Sequence, residues 1–293
     1  MTISNEIIRQ MVVDFLATNS LNAMGEKFGE EKMWGTPLVG FATASDPIFK
    51  RFKETDACGP GHWLPEEIFV KAFPGTAAQQ GDLTVVSWVL PQTEETKYSL
   101  RQEKEMPSER WSRSRIIGET VNDKLREYMA ATLTGMGYEA VAPVSFSEWT
   151  RLDSKERVYT STWSERHAAY ACGLGTFGLD DALITPLGKA MRLGSIVVKA
   201  PLTPDERPYT DIHAYCLHFA KGGKCNACIS RCPVGAISAQ GHDKIKCRAY
   251  VHGETPSYIK EHYNLIGYSC GFCQTKVPCE NGIPKSLLPV SHK

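Results

Sequence analysis

The sequence predicts an α+β protein: a body of strands and helices over residues 1–200, then a cysteine-rich domain of short helices over residues 201–293. Apolar runs stopped by proline or glycine alternate with amphipathic stretches across the first two hundred residues. Most of the ten cysteines then crowd into the span from Cys216 to Cys279. No internal repeat or low-complexity segment interrupts either part, and the pattern does not fix a strand order.

Ile7, Ile8, Met11, Val12, Phe15 and Leu16 recur at helical spacing behind Ser4, whose hydroxyl suits an N-cap. Pro37 to Ala42 reads as a buried strand. Leu64-Pro65-Glu66-Glu67 opens a short helix with proline in its first turn. Leu83 to Leu90, closed by Pro91, is a strand. Residues 108–134 form a long amphipathic helix with Ile116, Ile117, Val121, Leu125, Met129 and Leu133 on its apolar stripe. Gly135 and Gly137 end it, and Tyr138 to Ala142 returns as a strand. Its Arg110, Arg113 and Arg115 read as a solvated face, since Glu109, Glu119, Asp123 and Glu127 are interspersed.

Ser164 caps a short helix that ends at Gly173. The run Gly173-Leu174-Gly175-Thr176-Phe177-Gly178 fits G-x-G-x-x-G, but a dinucleotide fingerprint needs a strand before the glycines and a helix after them. Here a helix precedes and a strand-like run follows. The glycines instead suit close approach of backbone to a ligand. Asp180-Asp181 caps or solvates a turn, and Lys189 and Arg192 lie in a predicted hairpin where an anionic group would meet them.

Cys225-Asn226-Ala227-Cys228-Ile229-Ser230-Arg231-Cys232-Pro233 contains the spacing C-x2-C-x3-C-P that closes a ferredoxin cluster run. Cys247, Cys270-Gly271-Phe272-Cys273 and Cys279 follow. Soft iron prefers thiolate, and a four-iron cubane takes one ligand per corner. Proline after the last cysteine lacks an N–H and turns the chain away. The cysteine before that proline serves the other cluster in two-cluster ferredoxins. The crossed assignment is Cys216, Cys225, Cys228 and Cys279 on one 4Fe-4S cluster, and Cys232, Cys247, Cys270 and Cys273 on a second. The usual first cysteine of the run is Gly222 here, so Cys216 must reach in from further away. A zinc ribbon would use four cysteines and strand the rest. Disulfides are allowed by parity, yet Met1 to Glu6 shows no secretory signal.

At 293 residues the chain has room for a catalytic body beside the cluster domain. Hydrophobic content of 42% and charged content of 23% are ordinary for a globular protein. No apolar run of about 18 residues occurs, so no membrane partner is expected. The opening residues lack an export signal and twin arginines, which makes cytoplasmic localisation the expectation. A formal net charge of +0 makes nucleic acid an unlikely partner, with a local basic patch left open.

Glu165-Arg166, the Gly173-Leu174-Gly175 turn, Gly178, Leu183-Ile184-Thr185, the Cys-Gly-Phe-Cys-Gln stretch from Cys270 to Gln274 and the cluster motifs together resemble the epoxyqueuosine reductases and reductive dehalogenases. The resemblance spans about residues 155–284. Trp88-Val89-Leu90-Pro91 and Glu109-Arg110-Trp111 match a smaller branch of the same superfamily. It implies a nitroreductase-like (cobalamin-reductase-type) body and a C-terminal ferredoxin-like domain with two 4Fe-4S clusters. It also implies cobalamin, reduced through those clusters by a ferredoxin or flavodoxin-type donor. Glu165, Arg166, Gly173, Leu174, Gly175 and Gly178 are the residues it places at the cobalamin.

Epoxyqueuosine reductases carry a proton-donating aspartate in a Val-Asp-Thr context shortly before the Glu-Arg pair; here Val158-Tyr159-Thr160 puts Tyr159 at that position. Reductive dehalogenases use a tyrosine, which makes Tyr159 a candidate catalytic acid; an ordinary strand tyrosine is the equal alternative. This substitution, the neutral charge and a sequence that stops soon after Cys279 turn the expectation towards a small-molecule substrate. The expected function is a cytoplasmic iron–sulfur oxidoreductase with cobalamin at its centre. A non-catalytic electron carrier, a cavity serving a flavin and epoxyqueuosine reductase proper remain alternatives. Cys172 and His167 read as structural, and Cys58 as a loop thiol able to approach a ligand.

Overall fold

The computed structural model describes residues 2–288; residues 1 and 289–293, at the outer ends of the two expected domains, lie outside the described residues. In chain order the elements are α1 (Asn5–Thr18), β1 (Leu38–Thr43), α2 (Ile48–Arg51), α3 (Pro65–Ala72), β2 (Leu83–Pro91), α4 (Glu94–Gln102), α5 (Glu109–Gly135), β3 (Ala140–Val141), β4 (Arg151–Ser154), β5 (Val158–Ser161) and α6 (Glu165–Ala171). Then come β6 (Thr176–Phe177), β7 (Leu183–Ile184), β8 (Met191–Lys199), α7 (Leu217–Ala220), α8 (Ala227–Arg231), β9 (Ile237–Ser238), β10 (Gly241–His242), α9 (Lys244–Ala249) and α10 (Thr255–Tyr263).

Strands β1, β2, β8 and β3 make an antiparallel sheet in that order, with Val86 opposite Ile196 and Phe41 opposite Val86. Successive side chains on a strand point to opposite faces, and both faces of this sheet are covered. Phe41, Val86, Trp88, Leu90, Ile196 and Val198 pack with Ile8, Val12, Val121, Leu125 and Met129 of α1 and α5. Val85, Val89, Leu193 and Val197 pack on the other side with Ile68 and Phe69 of α3 and Ala168 to Cys172 of α6. Burial on both faces is why β2 reads as a near-continuous apolar run.

Ser4 accepts from the Ile7 amide at 3.3 Å and Ser108 from the Trp111 amide, so α1 and α5 start where their caps predict. Three local expectations change. Only Ala140–Val141 of the Tyr138–Ala142 stretch pairs, at the sheet edge beside β8. Ser164 makes no capping bond; its hydroxyl meets His167 Nδ1 at 2.8 Å. Arg110 and Arg113 do not form a free solvated face, because both lie over the Phe28 ring and Arg110 binds Glu31 at 2.9 Å.

Beyond Lys199 the short elements α7 to α10 gather the cysteines and fasten onto the α4–α5 junction. Arg231 donates to the Leu100 and Glu103 carbonyls at 2.6 and 2.5 Å, Tyr250 to the Glu105 carbonyl, and Tyr263 to the Pro107 carbonyl at 3.0 Å. Arg101 adds a salt bridge to Glu280 at 2.9 Å. Among the described residues no helix is long and apolar enough to cross a membrane.

Candidate functional site

The C-terminal thiols fall into two sets of four. Cys216, Cys225, Cys228 and Cys279 line one small cavity together with Leu179, Lys189 and His218. Burial pushes the Cys228 thiol up to about 12 and the Cys279 thiol up to about 11, and each is raised further by thiols of this same set. In the second set burial pushes Cys270 up to about 11, with Cys247 and Cys232 adding to it, while Cys273 is raised by burial and then by Asp180, with Cys270 among the further causes. Helix α8 carries Cys228 into one set and delivers Cys232, immediately after it, to the other. Residues of both sets share one apolar cluster with Leu179, Ile184, Ile237 and Val277.

Among the described residues no three His, Cys, Asp or Glu side chains converge on a point suited to a single ion. Four thiols line the cavity beside His218, and one thiolate per corner is what a cubane takes. Free thiols held above their ordinary range must lose protons when iron binds, so loading releases protons.

The residues expected at the cobalamin have other work. A Cβ on Gly173 would stand 2.6 Å from the Glu206 carbonyl oxygen, and one on Gly175 would stand 2.3 Å from that of Ile184. A Cβ on Gly178 would stand 2.8 Å from the Asp180 side-chain oxygen Oδ1, and Leu174 is buried in the core. At Gly173 and Gly175 the chain's own backbone takes the space that a side chain would need. Glu165 is likewise internal. It is the first residue of α6 and pairs with Arg126 Nε at 3.1 Å while accepting from Ser195. Burial raises its carboxyl to about 7 despite the arginine. Arg166 alone of the six is exposed, and it donates to the Asp181 carbonyl at 2.7 Å.

Tyr159 sits on β5 with the Arg248 guanidinium 4.9 Å from its ring centroid. Its neighbour Val158 holds φ at 65°, a costly conformation for a β-branched residue, at the end of the hairpin that α9 packs against. Lys244 of α9 donates to the carbonyls of Arg157 and Tyr159. The anionic groups expected near Lys189 and Arg192 are the chain's own: Asp180 at 2.9 Å and Glu119 at 3.2 Å.

A band of cations surrounds this hairpin. Arg166 acts on Arg192, on Lys244 and on Cys247 of the second set; Arg157 acts on Lys244; Arg115, Arg151 and Arg248 act on His252. Burial lowers the Arg192 guanidinium to about 10 with Arg115 and Arg166 adding to the fall, yet its side chain stays 29% exposed. Two residues that the sequence offered separately also meet. Cys58 Sγ lies 3.3 Å from His167 Nδ1, and His167 rests between the Phe52 and Phe177 rings. Burial pushes that thiol up to about 12 and holds the imidazole well below its ordinary value, so both are neutral. Their separation along the chain hid the pair. Cys172 is the structural thiol expected, donating to the Val85 carbonyl at 3.4 Å.

No family model matches the chain. The epoxyqueuosine reductase of Staphylococcus aureus is 32% identical over 138 residues, which is 45% of this chain and 33% of that protein. A reductive dehalogenase structure described as suggesting a mechanism for B12-dependent dehalogenation aligns over 96% of this chain and 37% of its own, at 16% identity and a TM-score of 0.51. Over somewhat less than half of its length the chain is similar in sequence to the epoxyqueuosine reductases, and its likeness to the reductive dehalogenase is one of fold. It spans about a third of the length of the curated epoxyqueuosine reductases that it matches.

An epoxyqueuosine reductase crystallised with an epoxyqueuosine-modified tRNA stem loop also aligns, over 97% of this chain and 68% of its own, at 17% identity and a TM-score of 0.47. Similarity to the epoxyqueuosine reductases overturns the expectation of a small-molecule substrate with nucleic acid an unlikely partner. The physical error lay in reading net charge. A sum of zero over 293 residues is compatible with a local group of cations, such as Arg157, Arg166 and Lys244 around Asp181.

Proposed function

We propose that this chain is an iron–sulfur reductase carrying two 4Fe-4S clusters, one on Cys216, Cys225, Cys228 and Cys279 and the other on Cys232, Cys247, Cys270 and Cys273. The sorting of eight thiols into two sets of four carries this reading. Residues 1–200 then form a nitroreductase-like body and residues 201–293 a ferredoxin-like domain of a cytoplasmic enzyme. When bound, the clusters supply electrons one at a time. The chain's own residues do the rest: Arg157, Arg166, Lys244 and Arg248 offer charge to a polyanion, and Tyr159 holds a proton at its hydroxyl beside them. The substrate in this reading is borne on RNA, whose phosphates suit that band.

Anaerobically reconstituted protein is expected to hold about eight irons per chain. Cys225→Ala and Cys247→Ala should each keep about four. Cys232→Ala should leave the same cluster signal as Cys247→Ala, and a remaining signal matching Cys225→Ala would undo the crossed assignment. Zinc in place of iron would remove the redox reading altogether.

A single assay covers substrate and acid. Loaded protein, a chemical reductant and a modified tRNA stem loop are expected to show retention that weakens steeply with salt. Tyr159→Phe should keep retention and iron while slowing product formation. Salt-independent retention argues against the phosphate contact, and wild-type turnover by the variant removes Tyr159.

Cobalamin enters this reading through the neighbour whose structure is described as suggesting a mechanism for B12-dependent dehalogenation. Titrating loaded protein with cobalamin and following the visible spectrum of the corrin decides that part: an unchanged spectrum removes it.

A further inference from the structure

We propose that Lys189 is a positioning residue for electron transfer, its buried ammonium raising the reduction potential of the cluster held by Cys216, Cys225, Cys228 and Cys279. This rests on the two-cluster reading. The lysine side chain is 2% exposed and lines the cavity with all four of those thiols. Its backbone is locked to the same place, since the Lys189 amide donates to the Cys279 carbonyl at 3.0 Å. The preceding turn is closed by the Thr185 hydroxyl donating to the Gly188 carbonyl at 2.7 Å. Gly188 at φ +86 lets that turn lie against the Glu280 backbone.

The counter-ion is placed unsymmetrically. Asp180 Oδ2 holds Lys189 Nζ at 2.9 Å, and its side chain is 0% exposed. The same carboxylate borders Cys273 of the second set, where it is the largest charge acting on that thiol. Both charges of the pair reach thiols of both sets, with Lys189 the larger influence at Cys228 and Cys279 and Asp180 the larger at Cys273. Reduction adds negative charge to a cluster. A fixed cation in a poorly solvated site favours the reduced form and a fixed anion opposes it. No established requirement of thiolate ligation calls for a lysine here, and an apolar side chain would fill the same wall without a counter-ion.

The test is a potentiometric titration of reconstituted protein followed by the spin signal of each reduced cluster. Variants of Cys225 and Cys247 that keep a single cluster assign the signals. Lys189→Met is expected to move the first cluster to a more negative potential and to move the second less. Asp180→Asn is expected to move potentials the opposite way, and Lys189→Arg to stay near wild type. Unmoved potentials in Lys189→Met with full iron overturn the inference. If Lys189→Met fails to hold iron, the Asp180→Asn shift decides, and its absence is equally fatal. Wild-type protein that takes up no iron would sink the two-cluster reading itself, and this inference with it.

Discussion

Arg126→Met is expected to destabilise the folded protein by about 3–5 kcal/mol, the usual loss when one partner of a buried ion pair is removed. Arg126 is 2% exposed and serves Glu165 at 3.1 Å, Asp123 at 2.6 Å, Glu119 at 3.3 Å and the Leu193 carbonyl at 3.0 Å. Without it Glu165 keeps only Ser195 beneath the sheet. The pH dependence follows from the direction of the Glu165 shift. Its folded value of about 7 lies above the ordinary carboxylate range, so the folded state binds the proton more tightly than the unfolded chain. That contribution is fully present below the unfolded value and is lost as pH rises through about 7. Glu165→Gln should flatten the fall in stability between pH 5 and pH 7, roughly the window between the two values. Thermal melts at both ends of that window check the claim. An Arg126→Met melting temperature within about 2 °C of wild type would count against the network.

Gly188→Ala should be the most damaging single methyl in the molecule. The added Cβ would stand 1.9 Å from the Glu280 carbonyl oxygen, at φ +86. Occupying a left-handed region costs a non-glycine residue about 1–3 kcal/mol before any clash. Relief of the clash has to come from the segment around Glu280, and Cys279 moves with it. The expected result is a lower melting temperature together with loss of about four irons, those of the first thiol set. Wild-type iron content in this variant would show that the Cys279 segment yields without leaving the cavity.

The sheet and the long helix were legible because their signals are local. The stripe from Ile116 to Leu133 and the run from Leu83 to Leu90 each carry their period within one element. The cysteine spacing was legible for the same reason, since one turn presents several ligands. Glu165 was not, because Arg126 and Ser195 come from α5 and β8 and no spacing announces them. Gly173 and Gly175 pose the opposite difficulty. A glycine turn built to admit a ligand and one built to admit the carbonyls of Glu206 and Ile184 are written identically. The cation band was invisible to composition, because Arg115, Arg157, Arg192 and Arg248 are scattered through the chain and cancelled by acids elsewhere. Tertiary meetings between distant residues are what a single sequence hides.

The clasp at residues 103–107 bears on how the protein is made. Its carbonyls are claimed by Arg231, Tyr250 and Tyr263, side chains 128 to 156 positions downstream. During synthesis these donors emerge long after the bend does, so the bend is expected to resist a protease only once residues 231–263 have been made.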